Sequence, residues 1–435
     1  MRLWPTRRLV ALAGGGTGAS ALLVLAPALW PLAMGALALL ALATLWDALA
    51  LRAAPPLALA RTKPERAFVG RAAKLALCVR AAARARVELL EEIARDLAPE
   101  DPSWPALALA AGETRALEYE VRPTRRGDRP FGRAIAFELG PFGLLRRRSF
   151  GAAGETLRVY PDTTRSLSGD ALDARRLALA GVRPARKRGD GMEFESLRDY
   201  APGDDPRRLD WAASARRGRP VVRQHQHERN HVVLLALDTS RLMGARAGGR
   251  TKLDWAIDAL LALAHASQAA GDRVGLAIFD RDLRAHVSPR ARRHGIGAFA
   301  EALRNVEPQL VEADHLRFAQ RLVALQRQRA LVVVLTDFVE AEAGRLIDPF
   351  AVLGKRHRVL VVALRDPVFA ALDPRAEAPP AQLYRRLVLD DLLHEREAAL
   401  LRLQRAGVET LDLPPERVSA PLLNRFLALR FSAEL

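Results

Sequence analysis

The amino-acid sequence predicts an α/β protein whose main part is a doubly wound, mostly parallel sheet, preceded by a transmembrane helical hairpin and a small β-sandwich. Three observations lead to this prediction. Strand-like and helix-like segments alternate from residue 231 to the end of the chain, as in doubly wound sheets. An uncharged apolar run fills residues 9–46. Short strand-like segments separated by turn residues follow that run. The predicted domains are two transmembrane helices (1–52), a β-sandwich (53–165), a charged connecting segment (166–230) and the α/β domain (231–435).

Composition narrows the class of protein. The chain has 435 residues and a net charge of +17, with 67 Lys and Arg against 50 Asp and Glu. Its single cysteine, Cys78, excludes an internal disulfide and suits a reducing compartment. An excess of positive charge can indicate an anionic partner such as nucleic acid or a lipid surface. However, the arginines do not gather into one basic block, and no nucleic-acid-binding module is recognisable, so nucleic-acid binding is disfavoured.

The apolar run near the amino terminus is too long for one membrane-spanning helix and nearly right for two. Pro27 and Pro31 lie near its middle and predict a tight turn between helices of about 9–26 and 31–51. Basic residues precede and follow the pair, and none lies in the turn. By the positive-inside rule, both flanks and all later domains then lie in the cytoplasm. The chain is therefore predicted to be a two-pass protein of the inner membrane. The competing interpretation is a cleaved secretory signal peptide, which the second apolar segment disfavours.

The region after the helices predicts short strands at 72–79, 115–121, 134–139 and 157–160. Turn residues such as Gly140-Pro141 separate them, as in a small sandwich. Residues 88–96 are ambiguous between helix and strand. Nothing in this part predicts catalysis.

The connecting segment contains a short apolar helix near 171–180 and then an unusual polar string. Asp205 is predicted to be a helix N-cap with Pro206 at the first helical position. Either the string is a joint between domains held by Arg–carboxylate pairs, or it is an exposed docking surface, and the sequence leaves both open. The residues assigned to partner binding or to a domain joint are Glu193, Arg198, Tyr200, Asp204, Asp205, Arg207, Asp210, Trp211 and Arg216.

The α/β domain is predicted from a regular alternation of segments. Strands are expected at 232–238, 273–279, 283–287, 331–337, 358–364 and 408–413, and helices at 252–270, 299–303, 316–326, 383–404 and 421–429. Sheets of this kind bind ligands beyond the carboxyl ends of their strands. Asp238 and Asp337 each end a strand, so both are candidate site residues.

On these residues the chain resembles the domain of unknown function 58 family. The resemblance rests on Pro202-Gly203-Asp204-Asp205, on Asp210-Trp211 and on Leu237-Asp238-Thr239-Ser240, and it extends over nearly the whole chain. It implies that the carboxy-terminal domain is von Willebrand factor A-like and that the partner is a MoxR-type AAA ATPase. It implies no settled biochemical activity.

The metal-ion-dependent adhesion site of von Willebrand A domains uses an Asp-x-Ser-x-Ser loop, a distant Thr and a later Asp. Asp238, Ser240 and Asp337 match three of these positions, whereas Leu242 replaces the second serine. Oxygen ligands of this kind suit Mg²⁺, so an incomplete Mg²⁺ site is one expectation. The alternative is that backbone amides or arginines hold Asp238 and Asp337 at the sheet edge.

The function predicted from these features is protein binding. The chain is expected to be a membrane-anchored interaction module, and no catalytic residues are assigned. The first alternative is a metal-dependent hydrolase that uses Asp238 and Asp337, although no base or nucleophile is evident beside them. The second alternative is a binder of anionic lipid or nucleic acid. The sequence leaves the client, pathway and oligomeric state open.

Overall fold

The computed structural model describes residues 3–22, 30–97, 104, 106–151, 154–162, 194–200, 209–225, 231–289, 295–338, 340–371 and 380–431. The chain divides into two compact units, Met1–Asp162 and Thr163–Leu435. Among the described residues, the first unit contains two helices and a set of mainly antiparallel sheets, and the second contains the α/β sheet. The predicted helix near 171–180 and the predicted cap at Asp205 lie outside the described residues.

Two helices open the first unit: α1 spans Arg7–Leu22 and α2 spans Trp30–Ala53. Helix α2 has 24 residues and a mean hydropathy of 1.9 in its most apolar stretch. At 1.5 Å per residue it is about 36 Å long, enough to cross a hydrocarbon core of about 30 Å. Within the described part of the chain, α2 alone has the length and composition of a membrane span. The two helices lie near their predicted positions, and a second membrane crossing stays a prediction.

The β-structure of the first unit forms three sheets around one core. Their strands are β1 Leu3–Pro5, β2 Ala58–Thr62, β3 Ala67–Phe68, β4 Ala73–Arg80, β5 Ala85–Glu91, β6 Leu107–Leu109, β7 Thr114–Val121, β8 Gly127–Pro130, β9 Ala134–Leu139, β10 Leu145–Phe150 and β11 Thr156–Tyr160. The sheet orders are β1-β10-β9-β5-β6, β3-β11-β8 and β2-β4-β7. Strand β5 buries every second side chain, as a strand with one face on the core should. The four predicted strands are found, and the ambiguous stretch is strand β5 followed by a short 3₁₀ turn.

The turn between β9 and β10 holds both helices. Asp47 in α2 is fully buried and accepts hydrogen bonds from the amides of Phe142 (2.8 Å), Leu144 (2.7 Å) and Leu145 (3.1 Å). Thr6, just before α1, donates to the carbonyl of Gly143 at 2.7 Å. Because both contacts converge on residues 142–145, the start of α1 and the end of α2 are fixed to the same turn.

The second unit begins with a small two-stranded sheet and a short helix. Strands β12 (Phe194–Asp199) and β13 (Val221–His225) pair antiparallel, and helix α3 (Trp211–Arg217) lies between them in the chain. Helix α3 ends at Gly218, whose φ of 65° is the left-handed conformation that glycine adopts without strain.

The main sheet of the second unit has six strands with helices on both faces. Its strands are β14 Val232–Asp238, β17 Arg273–Phe279, β18 Leu283–Val287, β19 Leu331–Thr336, β20 Arg358–Leu364 and β21 Glu409–Leu413, and a two-residue hairpin supplies β15 Arg246–Ala247 and β16 Arg250–Thr251. The order is β18-β17-β14-β19-β20-β21, and only β18 runs antiparallel. All seven residues of β14 are buried, as expected of a central strand covered on both faces.

Within the described ranges of the second unit, six helices cover this sheet. They are α4 Lys252–Ala269, α5 Ile296–Arg304, α6 His315–Leu325, α7 Glu340–Gly354, α8 Pro380–Arg405 and α9 Ser419–Phe431. Helices α4, α5 and α9 share one core with the sheet, and α6, α7 and α8 share the other. The predicted strand–helix alternation is therefore confirmed as a mixed α/β fold. Helix α7 was not predicted, because Pro349 interrupts its pattern.

Candidate functional site

The carboxyl ends of four adjacent parallel strands bring four aspartates together. Asp238 ends β14, Asp337 follows β19, Asp366 follows β20 and Asp412 lies in β21. This edge is where open α/β sheets bind ligands. The topology therefore assembles the two predicted aspartates and two others that were not predicted.

Asp238 is fully buried and satisfied by its neighbours. Its Oδ1 accepts from the Ser240 amide at 2.7 Å, and its Oδ2 accepts from the Thr336 hydroxyl at 2.6 Å. Burial raises the pKa of Asp238 to about 6, although these hydrogen bonds act in the opposite direction. Ser240 is 1% exposed. Neither residue can touch a partner protein directly.

Asp337 is held by two buried cations. Lys252 Nζ lies 2.5 Å from Asp337 Oδ2 and 3.0 Å from Asp366 Oδ2, and its side chain is fully buried. On the other side, Arg396 Nη1 donates to Asp337 Oδ1 at 2.8 Å. A Lys and an Arg on one carboxylate form a compact ion-pair cluster at the sheet edge, which we call the Lys252 cluster (Lys252, Asp337, Asp366, Arg396 and Asp412).

Local sequence explains the position of Lys252. Thr251 and Asp254 form a capping box, with the Thr251 hydroxyl accepting from the Asp254 amide and the Asp254 carboxylate accepting from the Thr251 amide. This capping box starts α4 at Lys252. The first turn of α4 faces the strands, which directs the Lys252 side chain to Asp337. A lysine in the first turn of a largely buried helix is the signal that sequence analysis could have used.

Arg396 reaches the cluster from the middle of α8. Its Nε and Nη2 donate to Asp412 Oδ1 at 3.1 and 3.0 Å, and its guanidinium lies 4.7 Å from the ring centroid of Phe338. Burial lowers the pKa of Arg396, but Asp337 and Asp412 outweigh that effect and raise it. No pattern in the sequence marks this arginine, because α8 and the strand edge are far apart in the chain.

The predicted Mg²⁺ ligands do not fit a divalent ion in this arrangement. Both oxygens of Asp337 are engaged by cations, and both oxygens of Asp238 accept hydrogen bonds from protein groups. A divalent ion at Asp337 would meet the Lys252 ammonium as a like charge. The described residues contain no group of three or more His, Cys, Asp or Glu side chains that could hold a metal ion. The geometry favours the alternative of aspartates held by amides and basic side chains, and Mg²⁺ binding stays an untested prediction.

A buried histidine extends the network from Asp238. His315 Nε2 lies 3.1 Å from Thr336 Oγ1, which donates to Asp238. Its ring packs against Phe279 and Phe350, with centroids 5.8 and 5.7 Å away. Burial lowers the pKa of His315 to about 4. The Thr336 hydroxyl donates its proton to Asp238 and not to His315, and Thr336 is fully buried. A substrate therefore cannot reach this threonine as it would reach an activated nucleophile.

We expect His315→Gln to destabilise the α/β domain more at pH 7 than at pH 5. In the unfolded state His315 binds a proton below about pH 6.5, whereas in the folded state its pKa is about 4 and it stays neutral. Lowering the pH from 7 to 5 therefore stabilises the unfolded state, and the contribution of His315 to folding stability is lost. The stability gap between wild type and variant should shrink by about 2 kcal/mol between pH 7 and pH 5. The measurement is the opening free energy of the β14 amides by hydrogen exchange.

Asp238 shifts wild-type stability in the opposite direction over this range, because its pKa is raised in the folded state, so the comparison must be with the variant. A gap that stays constant between the two pH values would contradict the assignment of a neutral, buried His315.

The polar string is described only in part. Asp210 is buried and caps helix α3, accepting from the Ala213 amide at 3.0 Å, so its carboxylate has a structural role. Trp211 is 73% exposed, and together with Tyr200 it lines a shallow pocket of about 370 Å³. Arg216 lies in the last turn of α3. The structure describes Arg198 by its backbone in β12 alone, and the remaining residues assigned to the string, Glu193, Asp204, Asp205 and Arg207, lie outside the described residues.

An exposed loop covers the Asp238 edge. The loop at 305–314, between α5 and α6, is fixed by the Gln309 amide, which donates to the Thr239 carbonyl at 2.7 Å, and by the Arg241 amide, which donates to the Val311 carbonyl at 3.0 Å. Leu310 at its tip is 96% exposed. The loop is thus positioned by the Asp238 turn and presents an apolar side chain to solvent.

Comparison with known proteins gives a family match without a function. The profile of a family described as "Protein of unknown function DUF58" matches residues 196–376. Uncharacterized proteins of Mycobacterium bovis and Mycobacterium tuberculosis are 29% identical over 183 residues, which is 41% of this chain and 56% of theirs. The chain thus aligns with little more than half the length of these relatives.

Two solved structures share weak likeness with the chain. The conserved hypothetical protein BatB from Bacteroides thetaiotaomicron is 14% identical at a TM-score of 0.29, covering 46% of this chain and 99% of its own. An uncharacterized membrane spanning protein from Vibrio fischeri is 14% identical at a TM-score of 0.17, covering 47% and 99%. At these TM-scores the likeness carries no argument about fold or function.

Proposed function

We propose that this chain is a membrane-anchored protein-interaction module of the domain of unknown function 58 family, with a von Willebrand A-like α/β domain. In this proposal α1 and α2 cross the inner membrane as a hairpin, and both soluble parts face the cytoplasm. The partner is a MoxR-type AAA ATPase, acting in assembly or maturation of other proteins or in envelope stress. The family match at 196–376 supports this, as do the apolar α2 and the attachment of both helices to residues 142–145.

The observation that carries the binding role is Leu310. A large apolar side chain that is 96% exposed lies on a loop fixed to the carboxyl edge of the sheet, where ligands of α/β sheets bind. Burial of such a side chain in a partner's pocket would remove its apolar surface from water, which favours association. Asp238 and Asp337 then act by fixing the loop and the edge, since both are buried.

The test is a cross-linked pull-down of the full chain from native membranes, with captured proteins identified by mass spectrometry. We expect to recover a MoxR-type ATPase with the wild type and about tenfold less of it with Leu310→Ser, which corresponds to a loss of about 1.4 kcal/mol of apolar burial. The matched control is Leu401→Ser on α8, where the leucine is 52% exposed. Equal recovery with both variants would exclude this loop as the docking site, and no ATPase in any sample would leave the partner unsupported.

A further inference from the structure

A basic cavity of about 740 Å³ lies between the start of α1 and the five-stranded sheet of the first unit. Its floor is the exposed face of that sheet. Arg86 on β5 and Arg146 on β10 are both register partners of Leu139 on β9. Directly opposed residues share a face, so the two arginines lie in one row with Leu139 between them.

Two more arginines form the wall of this cavity. Arg7 and Arg8, the first residues of α1, line it together with the turn at Gly140–Gly143. Four guanidinium groups thus border one cavity, and Glu88 is the one carboxylate among its described lining residues. Among the described residues no ion pair links any of the four arginines to a carboxylate. A cavity bordered mainly by charges of one sign concentrates ions of the opposite sign, so this cavity should attract an anion.

Arg146 is already positioned for a ligand. Its guanidinium carbon lies 4.5 Å from the ring centroid of Phe137, which fixes the plane of the group. Its Nε is buried and has no hydrogen-bond partner within the described part of the chain. A planar guanidinium with a free donor is suited to a phosphate oxygen.

The location of the cavity indicates the source of the phosphate. Thr6 and Asp47 attach the start of α1 and the end of α2 to the turn that borders the cavity. If α2 crosses a membrane, this turn and the cavity lie at the membrane surface, at headgroup depth. Val10 and Leu12, one turn along α1 from the arginines, are 60% and 54% exposed, so an apolar surface for acyl chains adjoins the basic cavity.

We propose that this cavity binds the phosphate of an anionic phospholipid headgroup. The residues that contact the phosphate are Arg7, Arg8, Arg86 and Arg146. The proposal rests on the membrane anchoring proposed above. Bound lipid would fix the first unit at the membrane surface and give the anchor a preference for anionic membranes.

The experiment uses the detergent-solubilised full chain and measures the unfolding midpoint as lipid is added. The probes are short-chain phosphatidylglycerol, phosphatidylcholine of the same chain length, and inorganic phosphate. We expect phosphatidylglycerol to raise the midpoint more than the other two. An Arg7→Gln/Arg86→Gln double variant should bind phosphatidylglycerol about thirtyfold more weakly, from about 1 kcal/mol for each arginine at a lipid surface.

The matched control is Arg80→Gln/Arg115→Gln, which removes the same charge from exposed positions on β4 and β7. It should bind phosphatidylglycerol as the wild type does, and Arg86→Lys should retain more binding than Arg86→Gln. Equal effects of phosphatidylglycerol and phosphatidylcholine would overturn the proposal, as would equal losses in both double variants. If inorganic phosphate protects as well as the lipid, the site takes a soluble anion, and the lipid assignment is wrong.

Failure here is distinguishable from failure of the proposed function. Leu310 is in the second unit and the basic cavity is in the first, so the two experiments can fail separately. The ATPase can be captured although phosphatidylglycerol has no specific effect, and phosphatidylglycerol can stabilise the chain although no ATPase is captured. Recovery of the wild-type chain outside the membrane fraction would remove the anchoring, and with it the lipid proposal.

Discussion

Replacing Lys252 with methionine should destabilise the α/β domain by about 3–5 kcal/mol, the usual cost of removing one member of a buried ion pair. Lys252 is fully buried, and its ammonium is shared by Asp337 and Asp366. Its loss leaves Asp337 with Arg396 alone and Asp366 without its cation. The cost arises mainly from the carboxylates left behind, because methionine fills a similar volume. The opening free energy of the β14 and β19 amides, by hydrogen exchange, measures it.

A double-mutant cycle separates the ion pair from packing. Lys252→Met combined with Asp337→Asn should recover part of the stability lost in the single variants, because the uncompensated charge is then removed. Lys355→Met is the matched control, since Lys355 is exposed after α7 and should change stability by less than about 0.5 kcal/mol. A loss below about 1 kcal/mol for Lys252→Met would mean that the Lys252 cluster does not stabilise the sheet edge.

The same samples test the Mg²⁺ prediction. If the Lys252 ammonium supplies the positive charge at Asp337, Mg²⁺ and chelator should leave the wild-type stability unchanged. A rise in stability with Mg²⁺ in the wild type, lost in Asp337→Asn, would restore the metal site and the hydrolase alternative, because a bound cation stabilises the folded state by mass action.

Replacing Asp47 with alanine should loosen the attachment of α2 to the β9–β10 turn by about 3 kcal/mol or more. The Asp47 carboxylate accepts three backbone N–H groups, those of Phe142, Leu144 and Leu145, in a fully buried position. Alanine leaves these donors unsatisfied, and each buried unsatisfied group costs about 1–3 kcal/mol. Hydrogen exchange of the Leu144 and Leu145 amides in the detergent-solubilised full chain should accelerate accordingly.

Two further variants test this attachment from both sides. Asp47→Asn keeps one carbonyl acceptor, so its effect should fall between wild type and alanine. Gly140→Ala would place a methyl group against the Asp47 carboxyl, and it should loosen the same amides although Asp47 is intact. Unchanged exchange in both Asp47→Ala and Gly140→Ala would mean that the helix is held elsewhere, for example by Arg147, which donates to the carbonyls of Leu51, Ala54 and Pro55.

Local patterns in the sequence determined most of the secondary structure. The predicted bounds are correct for strands β9, β14, β17, β18 and β20. In each of them a continuous or alternating apolar run lies between turn residues, and such a pattern depends only on burial of the segment's own side chains. The apolar α2 is likewise a property of its composition. The three-residue strand β1 and the polar strand β10 were not predicted, since pairing with distant partners is what makes them strands.

The chemistry of the site was decided by tertiary structure. The sequence placed Asp238 and Asp337 at strand ends. However, the sequence of the Asp238 loop is the same whether Asp337 faces a metal ion or a lysine. Lys252 and Arg396 are 85 and 59 residues from Asp337, so no local pattern associates them with it. Their identity as its partners depends on strand order and helix packing, and buried electrostatics depends on contacts across the chain more than on neighbours along it.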